Sequence, residues 1–148
     1  MADDSPFVTD SVLIALGADG AQTRFFANDV VRREAHPPTA IFYAELDALD
    51  TGDLAALEVR LRETLLDVKA VVADFAAMRE RLTLARDALA DWGFGGEDLE
   101  EARAFLEWLA RDHFVFLGFR EFDYGAGTLR QVDGALGILS RRKGTGER

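Results

Sequence analysis

The sequence predicts an α+β fold in which an antiparallel sheet is packed by helices. Two β-rich runs, Thr23 to Arg32 and Ala40 to Leu46, supply the sheet, and Pro37 and Pro38 between them interrupt any strand ladder. No glycine or proline occurs from Asp53 to Trp92, so one long helix follows the strands. A carboxy-terminal unit of a helix, a strand and a hairpin completes the pattern.

The amino-acid composition limits the kinds of molecule that the chain is expected to bind. The chain has 148 residues, of which 49% are hydrophobic, enough for one compact domain or two small ones. A formal charge of -10 disfavours nucleic acid, because phosphate binding needs clustered lysine and arginine. The absence of cysteine excludes disulfides and thiol chemistry and fits a reducing compartment. No apolar run approaches the roughly 20 residues needed to span a bilayer, so we expect a soluble, cytoplasmic protein without a membrane partner.

The first element is predicted to be a short helix between Pro6 and Gly20. Periodicity alone does not separate a buried strand from a helix in such a short apolar run. Asp10 or Ser11 favours the helix, because a short polar side chain ahead of an apolar run accepts hydrogen bonds from the first free backbone amides. Either residue is therefore the expected cap.

The long helix carries an apolar residue at every seventh position. These residues are Leu61, Val68, Phe75, Leu82 and Leu89. The stripe predicts an amphipathic helix that lies on its own sheet. Arg79 and Arg86 break an ideal coiled-coil seam, although a dimer seam along the stripe is the alternative. Flexible glycines, Gly93, Gly95 and Gly96, are expected to end the helix.

The next helix, Glu97 to Asp112, begins with acidic residues that favour the positive end of the helix dipole. The following strand, Phe114 to Asp123, is apolar on both faces at first, which indicates a strand covered on two sides. Gly125 to Gly127 suits a tight hairpin back into Thr128 to Val132. Arg141 to Arg148 is expected to be a flexible basic tail.

No arrangement typical of catalysis is found. The glycines at positions 93, 95 and 96 lack the third glycine and the preceding strand of a dinucleotide loop. The two histidines, His36 and His113, are too few for a catalytic zinc and are assigned to capping or packing. Arg120 and Glu121 lie on opposite faces of a strand and cannot form a joint site. The sequence therefore assigns no catalytic, metal or cofactor residue.

Two residue clusters receive structural interpretations. The acidic start of the helix from Glu97 to Asp112 is a solvated face, because calcium ligands come from a loop with alternating positions. The aromatic residues are assigned to core filling, because a base-stacking platform works with a basic groove. The aromatic group comprises Phe105, Trp108, Phe114, Phe116, Phe119, Phe122 and Tyr124.

Three stretches resemble the amino-terminal region of the large NAD-specific glutamate dehydrogenases. Asp3 to Val12 has acidic residues, Pro-Phe and then Asp-Ser-Val before a short helix, as that family does. Leu61 to Met78 is similar to the family's helix after its second strand pair. Glu101 to Tyr124 is the most specific of the three. The family is known for ACT-type regulatory modules, which are small α+β folds that often bind amino acids.

The resemblance implies an incomplete ACT-like module with the long helix at residues 1–92, the start of a second α+β module at residues 97–140, and a flexible tail at residues 141–148. The family's strand ahead of the Pro-Phe motif is expected to be missing, and Ala27 to Val31 departs from its His-Pro pattern. The catalytic and NAD-binding segments would lie beyond Arg148. The chain itself is therefore expected to be inactive and to hold no cofactor.

The implied function is that of a non-catalytic regulatory or assembly fragment of an enzyme that converts L-glutamate to 2-oxoglutarate by oxidative deamination with NAD. An amino-acid effector would bind its carboxylate to the helix-start amides of Thr9, Asp10 and Ser11, and Asp10 would hold its ammonium group. The remaining domains of the parent enzyme, in a homo-oligomer, are the expected partners. The alternative is a helix-mediated protein interaction module with no ligand.

Overall fold

The computed structural model describes residues 2–18, 22–89 and 96–142, except for the side chain of Asp112. The chain divides into two compact units, Met1–Val72 and Ala73–Arg148, and the division falls within the long helix. The expected mixed α+β fold is confirmed, with small antiparallel sheets, one long helix and a further helix after the last strand.

The first unit contains three strands, a short helix and the first part of the long helix. In chain order these are β1 (Ala2–Asp3), α1 (Val8–Gly17), β2 (Thr23–Val31), β3 (Thr39–Leu46) and α2 (Thr51–Ala88). Both predicted strands and both predicted helices are present, with ends shifted by a few residues. The predicted absence of a strand ahead of Pro6 is wrong, because β1 occupies that position.

The sheet is antiparallel, with strand order β1-β3-β2. Strands β2 and β3 pair along their lengths, with a register shift between Thr23 and Phe25. On the other side of β3, Ala2 lies opposite Ala40. Because β3 lies between β1 and β2, which α1 connects, the unit is a split β-α-β arrangement.

The core of the first unit lies on one face of this sheet. Alternate strand residues point to opposite faces, and Phe26 and Phe42 both point toward the helices. Their rings stack with centroids 6.2 Å apart. The buried residues Val12, Leu16 and Leu57 form the centre of the cluster. Partly buried residues complete it: Phe26, Phe42, Ala44, Leu46, Leu49, Leu61 and Leu65.

The heptad stripe of α2 is used for packing within each unit. Its residues are half-buried rather than exposed. In the first unit Leu61 packs against the core cluster. In the second unit Phe75 contacts Phe116, with ring centroids 6.5 Å apart. These contacts favour the predicted intramolecular role of the stripe over a dimer seam.

Asp50 caps the start of α2. Its side-chain Oδ1 accepts the backbone N–H of Asp53 at 2.8 Å, and its carbonyl accepts the N–H of Leu54 at 3.0 Å. A capping side chain satisfies a backbone donor that has no acceptor within the helix.

We expect Asp50→Ala to lower the free energy of unfolding by about 1 kcal/mol, the usual cost of losing such a cap. Urea denaturation monitored by circular dichroism measures the change. Asp50→Ser keeps a capping oxygen and is expected to stay close to the parent chain. An equal loss in both variants would show that the Asp50 side chain acts in some other way.

The second unit begins with the remainder of α2 and adds helices and short strands. They are α3 (Glu97–Trp108), a π-helical turn (Leu109–His113), β4 (Gly118–Phe119), β5 (Phe122–Gly125), β6 (Thr128–Gln131), β7 (Leu136–Gly137) and α4 (Ile138–Arg141). Strand β4 pairs with β7, and β5 pairs with β6, both antiparallel. The predicted helix from Glu97 to Asp112 is confirmed, but its last turn is π-helical.

The predicted hairpin is confirmed. Ala126 and Gly127 both have positive φ, 53° and 79°. A two-residue loop with both central residues in this region has the twist that joins two antiparallel strands. Of the predicted tail, Arg141 is the last residue of α4, and residues 143–148 lie outside the described part. Gly93 and Gly95, predicted to end α2, also lie outside it.

The single strand predicted from Phe114 to Asp123 is wrong. Only Gly118–Phe119 and Phe122–Gly125 are paired. Phe114 is 50% exposed, so this segment is not covered on two sides. Core filling is likewise the wrong role for most of the aromatic group, whose exposed members are Phe105, Trp108, Phe114, Phe122 and Tyr124. In the described part of the chain, no helix has the length and apolarity to cross a membrane.

Candidate functional site

The start of α1 is the candidate ligand site, and it is built on an unusual backbone turn. Phe7 precedes the helix in a left-handed conformation, with φ 66° and ψ -4°. A bulky residue with positive φ is uncommon. The Val8 N–H donates to the Ser5 carbonyl at 3.4 Å across this turn. Val8 itself is buried, so the turn leads the chain directly from the sheet into the core.

The predicted capping role of Asp10 or Ser11 is wrong. The helix begins at Val8, and the residue at the cap position is Phe7, whose side chain makes no capping hydrogen bond. Asp10 instead lies in the first turn, where its negative charge faces the positive end of the helix dipole. The sequence signal failed because a hydrophobic residue in a left-handed turn occupies the position that usually carries a polar cap.

The three predicted site residues are consecutive in the helix, and the structure does not make their amides equivalent. The Ser11 N–H donates to the Phe7 carbonyl at 3.0 Å. This is the first hydrogen bond of the helix, so the amides of Thr9 and Asp10, which precede it, have no acceptor within the helix. The predicted set of three donors is thus reduced to the amides of Thr9 and Asp10.

The chemistry of this helix start suits a small zwitterion. Two neighbouring amides at the positive end of a helix favour a carboxylate. The Asp10 side chain is exposed, so its carboxylate is available to an ammonium group. Thr9 and Ser11 are half-buried and contribute less side-chain surface.

His113 has a structural role, as predicted. Its Nδ1 lies 2.9 Å from the carbonyl oxygen of Trp108, and its ring stacks on the Trp108 indole with centroids 4.7 Å apart. Phe114 meets the same indole edge-on at 5.2 Å. The π-helical turn that creates this stack gave no sequence signal. His36 is exposed in a turn, where its N–H donates to the Arg33 carbonyl at 3.3 Å.

Arg120 and Glu121 make separate contacts, as their alternation predicts. The Arg120 guanidinium donates to the carbonyls of Leu139 and Arg142, each at 3.0 Å. The Glu121 carboxylate lies 3.8 Å from the Arg81 guanidinium. Each residue holds a different part of the second unit, and together they form no joint site.

A shallow depression on the β5–β6 hairpin is a weaker candidate. Its lining residues are exposed, and they include Asp123 and Arg130, which lie opposite each other in the ladder. Such an open surface lacks the convergent buried polar groups of a ligand pocket. Within the described ranges, no cluster of three or more histidine, aspartate or glutamate side chains is arranged to hold a metal ion.

Comparison with known proteins identifies relatives of most of the chain. It is 34% identical over 143 residues to the NAD-specific glutamate dehydrogenase of Pseudomonas aeruginosa, an alignment that covers 80% of this chain and 9% of that protein. It is 31% identical over 147 residues to the NAD-specific glutamate dehydrogenase of Halomonas elongata, covering 82% of this chain and 9% of that protein. The chain therefore spans about 9% of the length of these relatives. No protein-family profile matches it.

Proposed function

We propose that this chain is a regulatory or assembly segment of an NAD-dependent glutamate dehydrogenase and that it carries none of the catalytic residues. One observation carries the proposal: the two relatives align with most of this chain, yet it accounts for only 9% of their length. In this proposal NAD binds to another part of the parent enzyme, where L-glutamate is oxidatively deaminated to 2-oxoglutarate. The enzyme works in the cytoplasm as a homo-oligomer, and its other domains are the partners of this segment.

The architecture of the first unit supports an ACT-like role. Two helices cover one face of a small antiparallel sheet, and the split β-α-β order places β3 between β1 and β2. The proposal assigns residues 1–92 to an ACT-like module and residues 97–140 to the start of a second α+β module. A regulatory module of this kind binds a small molecule, and this binding changes the ligand affinity of a second site in the neighbouring domains.

The proposed effector is a free amino acid bound at the start of α1. Its carboxylate accepts hydrogen bonds from the amides of Thr9 and Asp10, and its ammonium group pairs with the Asp10 carboxylate. Ser11 supports the site only through the helix, because its amide is bonded to Phe7. The Asp10 carboxylate repels a simple anion, so the site favours zwitterions over anions without an ammonium group.

Calorimetric titration of the chain with a panel of amino acids tests this site. We expect at least one amino acid to bind, and Asp10→Asn to weaken it by about tenfold, because hydrogen bonds between charged groups contribute about 1.5–3 kcal/mol. Asp53→Asn is the matched control, since Asp53 is also an acidic residue in the first turn of a helix. Its affinity is expected to be unchanged.

The possible results test the effector site and the non-catalytic role separately. No heat with any amino acid would remove the effector site and leave the assembly role. An equal loss of affinity in both variants would place the bound amino acid elsewhere. The same protein is expected to form no reduced cofactor from L-glutamate and NAD, and measurable turnover would contradict the non-catalytic assignment.

A further inference from the structure

The sheet of the first unit has an outer face that no helix covers within residues 2–18, 22–89 and 96–142. By strand alternation, Phe25, Ala27 and Asp29 of β2 point to this face, opposite the side that packs on α1 and α2. On β3, Tyr43 and Glu45 point the same way. Phe25 is 52% exposed and Tyr43 is 55% exposed. Their rings meet edge to face at 6.1 Å, so a continuous aromatic surface faces solvent.

The charged side chains that point to this outer face from β2 and β3, Asp29 and Glu45, are both negative. Glu45 Oε1 accepts the hydroxyl hydrogen of Tyr43 at 2.8 Å, so a carboxylate lies directly beside the exposed ring. The hydrogen bond and the charge of Glu45 raise the pKa of the Tyr43 phenol above its usual value. Asp29 adds a second exposed carboxylate. The sequences of the three strands contain one lysine or arginine, Arg24. Its guanidinium group forms an ion pair with Asp47.

We propose that this outer face docks an extended protein segment that carries an arginine with an aliphatic residue two positions before it and another two positions after it, because side chains two positions apart point to the same side. A guanidinium group over the Tyr43 ring gains a cation–π interaction and reaches the Glu45 carboxylate at the same time. The aliphatic side chains two positions away lie on the same side of the segment and cover Phe25 and Ala27. The charge of the face and its aromatic surface thus select the same partner.

A second copy of the chain is a poorer occupant of the outer face. A two-fold symmetric contact places the same patch on both copies, so Asp29 and Glu45 of one copy meet the carboxylates of the other. Like charges across an interface are unfavourable and suppress wrong partners. The inference deepens the assembly role proposed above, on which it rests, and it requires no amino-acid effector.

Fluorescence anisotropy with a labelled synthetic peptide tests the surface; leucine and arginine take every second position in turn, and serine fills the positions between them. The intact chain is expected to bind this peptide and not to bind one in which glutamine replaces each arginine. Glu45→Gln is expected to weaken binding by up to about fivefold, the upper end of the range for one exposed ion pair. Glu100→Gln changes the net charge equally at an exposed position of α3 and is expected to leave the affinity unchanged.

Tyr43→Phe is a second variant, in which both the ring and the Glu45 carboxylate remain. Its affinity is expected to stay within about twofold of the parent, because the cation–π interaction belongs to the ring. Backbone amide spectra identify any variant that fails to fold and locate the bound peptide, with shifts expected in β2 and β3.

Each remaining outcome overturns the docking proposal. If Glu45→Gln and Glu100→Gln weaken the affinity for the peptide equally, the peptide is held only by the general negative charge of the protein. If adding the peptide changes the amide signals of the second unit alone, the peptide binds at a different surface. A dimer in sedimentation experiments that Glu45→Gln strengthens would identify a second copy as the occupant. In each case a calorimetric signal from an amino acid at α1 would still support the regulatory function.

Discussion

Gly137→Ala is expected to lower the free energy of unfolding of the second unit by about 3 kcal/mol, through backbone strain and a steric clash. A Cβ added at Gly137 would lie 2.3 Å from the Leu117 carbonyl oxygen and 3.1 Å from Gly118 Cα. Both neighbours are backbone atoms, which do not yield as the end of a flexible side chain does. Gly137 also has φ 60° and ψ -140°, a combination that side-chain-bearing residues rarely adopt.

The position of Gly137 makes the expected loss large, because several hydrogen bonds converge there. Its N–H donates to Asp74 Oδ2 at 2.8 Å, which ties β7 to the long helix within the second unit. The next residue, Ile138, donates its N–H to the Leu117 carbonyl at 2.9 Å. Ser140 Oγ donates to the Gly137 carbonyl at 2.7 Å. A shift of the backbone at Gly137 disturbs all three bonds.

Alanine substitutions at two other glycines distinguish the cost of backbone strain from the cost of the steric clash. Gly134 has φ 101° but no atom within 4 Å of an added Cβ, so Gly134→Ala tests strain alone. Gly125 has open space and no positive φ, so Gly125→Ala is expected to be close to neutral. Hydrogen exchange of amides in the second unit measures the three stabilities. A loss in Gly137→Ala no greater than that in Gly134→Ala would show that the clash is relieved at little cost.

The elements that the sequence predicted correctly are those set by local rules. A long stretch without glycine or proline and with a regular apolar stripe predicts α2. The two β-rich runs separated by Pro37 and Pro38 predict β2 and β3. The hairpin follows from the glycines at 125 and 127, because Gly127 takes positive φ at no steric cost, although Ala126 has positive φ as well. In each case the deciding information lies within a few residues of the element.

The errors arise where distant contacts decide. Phe114 to Asp123 has the pattern of a buried strand, but Gly118 pairs with Gly137 in only a two-residue ladder. Arg120 then turns its guanidinium toward the carbonyls of Leu139 and Arg142, which lie about twenty residues further along the chain. No property of the strand itself reveals these acceptors. The aromatic residues nearby were therefore assigned to a core that they do not fill.

The ligand site at the start of α1 stays a prediction, and the sequence located only the start of that helix, to within a few residues. An apolar run preceded by polar residues located a helix start near Asp10. Which amides remain free depends on where the first turn begins, and the left-handed Phe7 moves that start toward the amino terminus. A positive φ at phenylalanine is not a local preference, because only the surrounding structure holds such a residue there. The loss of Ser11 as a donor follows from this shift.

Leu57→Ala is expected to destabilise the first unit by about 3 kcal/mol, within the range for removing a large buried aliphatic side chain. Leu57 is 6% exposed and contributes to the buried cluster with Val12 and Leu16. The substitution leaves a cavity between α1, α2 and the sheet, because backbone elements on three sides limit relaxation. A unit of this size has a small total stability, so the expected loss is a large part of it.

Leu54→Ala provides the matched control for this cavity, because it makes the same chemical change one helical turn earlier. Leu54 is 58% exposed, so its truncation removes little buried surface and is expected to change stability by less than about 0.5 kcal/mol. Hydrogen exchange of amides in β2 and β3 reports the stability of the first unit in each variant. Equal losses would mean that burial does not decide the cost, because Leu→Ala slightly raises helix propensity at both positions and cannot itself cause a loss. A loss confined to Leu57→Ala would show that this unit is held together from its own α1, α2 and sheet contacts, which an independently folding regulatory module requires.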